Sequence, residues 1–237
     1  MLFRQLFDAA TSSYTYLLAD EESRQALLID PVFEQVDRDL QLLKELGLVL
    51  VYTLETHVHA DHITGAAQLA QRTGARLVAP REGGPVCAEV KVWEGDVIEL
   101  GSLSLRVLST PGHTCGCVSY AMEDRVFTGD ALLIRTCGRT DFQGGDPSRL
   151  YDSITRKLFA LPDETLVFPA HDYKGQTVST IGEEKRFNVR AAGRNRDQFV
   201  ELMRGLKLAL PKRIHEAVPA NLAGGWLEAL PLVAHSD

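Results

Sequence analysis

An α+β domain is the fold class that the sequence predicts. Short runs alternate apolar and polar residues, other stretches repeat apolar residues at helical spacing, and the two patterns interleave along the chain. The 237 residues, 45% hydrophobic and 24% charged, suit one domain with a buried core. No fixed-period repeat, low-complexity segment or Ser/Gly/Pro-rich linker divides them. Residues 1–237 therefore read as a single domain whose C-terminal part, from about residue 176, is helical and collects Lys185, Arg186, Arg190, Arg194 and Arg196.

In chain order, SYTYLLAD and then ALLID before Pro31 read as two short strands. Val36, Leu40, Leu43 and Leu46 recur at spacings of four, three and three, which predicts a helix over EQVDRDLQLLKELG with Gly47 as its left-handed cap. LVLVYTL is continuous and β-branched, so it reads as a strand buried on both faces. GAAQLAQRTG is a short helix closed by Gly74, and ARLVA, VIEL, LSLRVLS, CVSYAM and RVFTG are strands. Pro147 opens a helix with Leu150, Ile154 and Leu158 on one face, and TLVFPAH is a further strand. Helical segments follow over Ser179 to Asn188 and Asp197 to Leu206, the second with Phe199, Leu202, Met203 and Leu206 as a core-facing stripe.

Charge and hydropathy exclude whole classes of function. With 25 Lys and Arg against 32 Asp and Glu, a net charge of -7 offers no field for phosphate backbones, so no nucleic acid partner is expected. The longest apolar stretch, Leu46 to Leu54, is far short of the roughly 20 residues that span a bilayer, so no membrane partner is expected either. Arg4 and Asp8 interrupt the first apolar patch, which argues against a signal peptide and makes a cytoplasmic location the expectation. Cys87, Cys115, Cys117 and Cys137 lack CxxC spacing and read as reduced thiols.

The chemistry is concentrated in THVHADHITG, where His57, His59, Asp61 and His62 crowd one loop after a strand. Three further strand ends carry His113 in LSTPGHT, Asp130 in VFTGDAL and His171 in LVFPAHDY, each beside a Gly or Pro that turns the chain. Five of the seven histidines thus sit at strand ends, leaving His215 and His235 elsewhere. Imidazole and carboxylate together suit zinc or non-haem iron. Spacing alone favours a two-metal hydrolase, with His57, His59 and His113 on one ion and Asp61, His62, His171 and Asp130 on another.

THVHADHITG, TPGHT, FTGD and PAHDY in this order resemble the metallo-β-lactamase superfamily, over nearly the whole chain. GDALLIRTCGRTDFQGGD and PAHDYKGQTVSTIGEEKRFN are more similar to its persulfide dioxygenases, the ethylmalonic encephalopathy protein-like sulfur dioxygenases. Hydroxyacylglutathione hydrolases usually carry THHHxDH, where this chain has Val58. The resemblance implies a four-layer αββα sandwich with the metal at one edge. It also implies one Fe(II) per chain held by His57, His113 and Asp130, with His59, Asp61, His62 and His171 around the metal but not on it. Two histidines and one carboxylate leave open positions for O2, as in other Fe(II) oxygenases.

The implied reaction converts glutathione persulfide, O2 and water to sulfite and glutathione, the terminal sulfur and O2 meeting at adjacent iron positions. Arg139, Tyr173 and Arg190 match positions that contact glutathione in the family, and arginine offers a bidentate fork to a carboxylate. A homodimer is likewise implied, and any sulfur transferase is expected to be a separate protein. Cys115, close to His113, takes no role from the resemblance; Cys137 is placed near the pocket. The competing readings are a glyoxalase II-type hydroxyacylglutathione thioesterase with a dinuclear metal site, a non-catalytic iron sensor, and a superfamily nuclease that the acidic charge balance disfavours.

Overall fold

Strands with apolar residues on both faces need cover on both sides, and this chain supplies it by facing two sheets and lining each with helices. The computed structural model describes residues 1–226. The first sheet takes β1 (Leu2–Asp8), β2 (Ser13–Ala19), β3 (Gln25–Ile29), β4 (Val49–Leu54), β5 (Arg76–Pro80) and β6 (Val90–Val92) in chain order. The second takes β7 (Val97–Leu100), β8 (Leu103–Ser109), β9 (Val118–Ala121), β10 (Arg125–Gly129), β11 (Leu166–Pro169) and β12 (Ser179–Thr180), again in chain order. Pairing is antiparallel through β3 and parallel from β3 to β6; in the second sheet the parallel pair is β10 with β11.

The period of two sorts the side chains between layers. Along β2, Tyr14, Tyr16 and Leu18 point between the sheets, while Leu17 and Ala19 point outward under α1 (Val36–Leu46) and α2 (Ala66–Thr73). On the far side, Leu108, Val126 and Val167 pack against three helices. These are α3 (Pro147–Asp152), which continues through a π-helical turn at Ser153–Leu158, α4 (Ile181–Phe187) and α5 (Arg196–Gly205). The result is the expected helix, sheet, sheet, helix order. Between the sheets Phe3, Tyr16, Phe127 and Phe168 cluster with ring centroids 4.9–6.2 Å apart, pairs that each add about 1 kcal/mol beyond their buried area.

Local signals place most boundaries. Gly47 closes α1 at φ +60° with its N–H on the Leu43 and Lys44 carbonyls, as its position predicts. Asp146 caps α3 by accepting from Ser148 and Arg149 N–H, with Pro147 in the first turn. Other expectations need correction. β1 carries no strand signal in the sequence, because its half-buried residues do not alternate. β4 is buried on both faces only toward its end, at Thr53 and Leu54; Val49 is 62% exposed at its start and Val51 and Tyr52 are half-buried. Ser179 and Thr180 form β12 rather than a helix, and Thr180 then caps α4. A last helix, α6 (Ile214–Leu222), escaped notice because Pro219 lies inside it. His235 lies outside the described residues. Among those described, no helix is long and apolar enough to cross a membrane.

Strand direction gathers the loops after β4, β8, β10 and β11 at one edge of the sandwich, where the sheets are stitched together. Val118 N–H donates to the Thr56 carbonyl (2.9 Å) and Tyr14 N–H to the Ala170 carbonyl (2.7 Å). Gly129 has φ +54°, and a Cβ there would lie 2.7 Å from Thr56 Oγ1, so the chain turns here only as glycine.

Asp39 is buried on α1 beside Arg38 (2.9 Å), and burial pushes its carboxyl up to about 6 despite that partner. The folded state therefore holds this proton more tightly than the unfolded chain, and stability falls as pH rises from about 4 through 6. Asp39→Asn is expected to raise the melting temperature at pH 7 by a few degrees, about 2 kcal/mol at most, with the gain vanishing near pH 4. Thermal melts of both proteins across that range check this.

Candidate metal centre

Seven side chains converge at the stitched edge. The loop after β4 brings His57, His59, Asp61 and His62; the turns after β8, β10 and β11 bring His113, Asp130 and His171. His57, His113 and Asp130 offer ligand atoms within 4.8 Å of one another, as do His59, Asp61, His62 and His171. The structure thus brings together every metal-site residue expected from the sequence.

Hydrogen bonding decides which atoms are free. Thr56 Oγ1 donates its one proton to Asp30 Oδ2 (2.8 Å), so the 2.9 Å contact with His57 Nδ1 must be donated by the ring, leaving the His57 Nε2 lone pair available. His113 Nδ1 donates to the Arg139 carbonyl (2.7 Å), which turns its Nε2 toward Asp130 Oδ2, 3.6 Å away. Asp130 Oδ1 accepts from His171 Nδ1 (2.7 Å), leaving Oδ2 open. Each of the three carries a partner on its far atom and turns its near one toward the others, which is how proteins orient ligands for a metal. Gly138 fits against the His113 ring, where a Cβ would come within 2.8 Å. Burial, then the neighbouring His59 and His113, holds the His57 pKa well below the usual imidazole value, which keeps it a neutral ligand.

His171 differs. Its second nitrogen, Nε2, lies 3.0 Å from Asp61 Oδ2 and 3.1 Å from Ser13 Oγ. Burial opposes its charge, but Asp130 and Asp61 outweigh it and raise its pKa well above the usual value. Both of its ring nitrogens thus face carboxylates, unlike those of His57 and His113. His62 Nδ1 also pairs with Asp61 (2.9 Å), while His62 Nε2 and His59 Nδ1 stay without hydrogen-bond partners. His59 Nε2 sits 3.2 Å from Asp30 and 3.6 Å from Glu55; these acids overcome burial to raise its pKa.

Several residues in this scaffold were invisible to the sequence reading. Asp30, at φ +51° after β3, accepts from both the N–H (2.7 Å) and hydroxyl of Thr56. Glu55, its carboxyl pushed up by burial and by Asp30, accepts from Thr64. Asn221 on α6 reaches the backbone of the histidine loop. A strand-end Asp before Pro31 was the one signal that could have pointed to Asp30.

A cavity of about 770 Å³ opens onto His57, Asp61, His113, Asp130 and His171. Arg139, Tyr173 and Arg190 line it, as does Cys137, whose thiol burial pushes up to about 11. Arg139 is not a free fork: Nε and Nη2 hold Asp141 (both 2.6 Å), and Nη1 and Nη2 hold the carbonyls of Ala209 and Leu208. Arg190 binds the Cys137 carbonyl. Tyr173 is 69% exposed with its ring parallel to His171. Lys212, unnoticed in the sequence, lines the mouth and has no partner among the described residues. Cys115 lies off this cavity, on a separate one of about 350 Å³.

Comparison with known proteins agrees with this geometry. The family model described as metallo-beta-lactamase superfamily matches residues 9–171. The mitochondrial persulfide dioxygenase ETHE1 of Mus musculus is 49% identical over 228 residues, 95% of this chain and 89% of that protein. The crystal structure of ETHE1 from Myxococcus xanthus superposes with a TM-score of 0.94 at 59% identity, over 95% of this chain and 100% of that one. A hydroxyacylglutathione hydrolase of Nitrobacter winogradskyi is 37% identical over 183 residues, 73% of this chain and 68% of that protein.

Replacing Thr56 by Val removes the hydroxyl that fixes the His57 ring and is expected to weaken metal binding by about 10- to 100-fold, while Thr56→Ser retains it. Competition with a chromophoric chelator measures both.

Proposed function

We propose a persulfide dioxygenase activity for this chain, which belongs to the metallo-beta-lactamase superfamily and, within it, to the persulfide dioxygenases. The observation that carries the proposal is the pair of histidines and one carboxylate with their near atoms turned toward one another beside a fourth group, His171, whose two nitrogens are both committed. We assign His57, His113 and Asp130 as the ligands of one iron(II). Bound there, iron supplies electrons and open positions for O2, which filled-shell zinc does not. The reaction joins glutathione persulfide, O2 and water to give glutathione, sulfite and two protons.

The protein's own groups do the rest. Asp61, a quarter exposed at its side chain, faces the cavity and fixes the charge on His171, so the Asp130 oxygen held by His171 cannot swing away from the ligand cluster. Tyr173 and Arg190 border the space for glutathione, and Lys212 is the uncommitted cation at its mouth. Arg139 serves by tying residues 208 and 209 across that mouth, with at most one N–H left for substrate. A cytoplasmic location and a homodimer remain part of the proposal.

The dinuclear thioesterase is the second reading, favoured by the unpartnered His59 and His62 nitrogens. Metal analysis separates the two. About one iron per chain, with O2 uptake on glutathione persulfide and no hydrolysis of S-lactoylglutathione, is expected; two metals per chain with hydrolysis would overturn the dioxygenase. His113→Ala should abolish both metal binding and O2 uptake. Lys212→Ala should raise KM for glutathione persulfide about tenfold at unchanged kcat and metal content, with Lys212→Arg near wild type. Arg139→Ala should also raise KM with metal retained, because its backbone carbonyl still orients His113; steady-state kinetics and metal content together read both variants.

A further inference from the structure

We infer that Asn221 is a positioning residue for the metal centre, acting through the loop segment that carries Asp61. Its side chain is buried on α6 and makes three hydrogen bonds to that loop. Nδ2 donates to the His59 carbonyl (2.9 Å) and the His62 carbonyl (2.8 Å), and Oδ1 accepts from Thr64 N–H (2.8 Å). Ala217 and Ala220 of the same helix pack on Ile63. Gly225 lets the chain beyond the helix pass close, since a Cβ there would lie 2.6 Å from the Thr64 carbonyl.

The ends of the loop are fastened elsewhere. Thr56 N–H is on Asp30, the Val58 carbonyl accepts from Gln143 (2.9 Å), Phe33 N–H donates to Ile63 (2.9 Å) and Gly65 N–H to Pro31 (2.7 Å). Asn221 fastens the arc between. Of the residues assigned to the iron, His57 is oriented by Thr56, His113 by the Arg139 carbonyl and Asp130 by His171, so none touches Asn221. Asp61 and His62, in contrast, sit on the arc, and Asp61 reaches His171. The connection therefore runs from Asn221 through the backbone to Asp61, His171 and Asp130. A buried amide with all three contacts on one loop leaves two carbonyls and one N–H unpartnered when it is lost.

The inference rests on the assigned ligand trio and not on which reaction follows. Asn221→Ala holoenzyme is expected to carry near-normal metal, to lose it to a chelator about tenfold faster, and to turn over about tenfold more slowly at unchanged KM. In an Asp61→Asn background the same replacement should add nothing further to either rate, because both changes interrupt one connection. Asn221→Gln, which keeps the amide one methylene out of place, should fall between, and it takes the place of the alanine variant in the cycle should that variant not fold. Additive effects with Asp61→Asn, or a lowered melting temperature with metal release and turnover unchanged, would make Asn221 a structural residue only and overturn the inference. Metal release is read without any substrate, so failure of the dioxygenase assignment leaves this test standing.

Discussion

The imidazolium of His171, held between Asp130 and Asp61, is the interaction on which the rest of the centre depends. One ring joins the carboxylate assigned to the metal to an acid on a different sheet's loop, and Ser13 from β2 closes the same contact. Two negative charges and one positive are tolerable here because both N–H groups of His171 meet a carboxylate and Asp61 keeps a quarter of its side chain exposed. Remove the cation and two carboxylates face each other in a low dielectric; remove either acid and one ring nitrogen loses its carboxylate. The same contact thus keeps Asp130 in place and occupies both nitrogens of His171.

Much of this was legible in the sequence, and for a chemical reason. His57, His113, Asp130 and His171 stand at strand ends, the last three beside Gly or Pro, and imidazoles gathered there have few uses other than holding a metal. What orients them was not legible. Thr56, Asp30 and Ser13 are ordinary residue types, and their roles follow from contacts across 26 positions between Asp30 and Thr56 and 158 between Ser13 and His171. Asn221 is farther still, on a helix whose internal Pro219 argues against a helix at all. Arg139 illustrates the converse: its position by the cavity was readable, but its commitment to Asp141 and the carbonyls of residues 208 and 209 depends on a segment 69 residues away. Among the elements, β1 lacked the alternation that betrays a strand, and β12 is too short to carry one.

A net charge of -7 sets the wider electrostatic frame for an anionic substrate. Around the cavity Glu34 pairs with Arg213, Asp61 and Asp130 share His171, and Asp8 keeps its charge under hydrogen bonds from neutral Thr11 and Gln35. A cation such as Lys212, without a partner among the described residues, therefore matters more at this cavity than it would on a neutral chain.

The chain-order layout of the two sheets has a bearing on how the protein is made. Residues through Val92 complete the first sheet, and those from Val97 to Thr180 complete the second. During synthesis each sheet can pair its strands as they emerge, without waiting for a distant partner. The centre cannot follow that schedule: His57 arrives with the first sheet, His113, Asp130 and His171 with the second, and Asn221 last. A nascent chain thus passes through a period in which its first sheet can already be assembled while the set of side chains that meet at the centre is still incomplete.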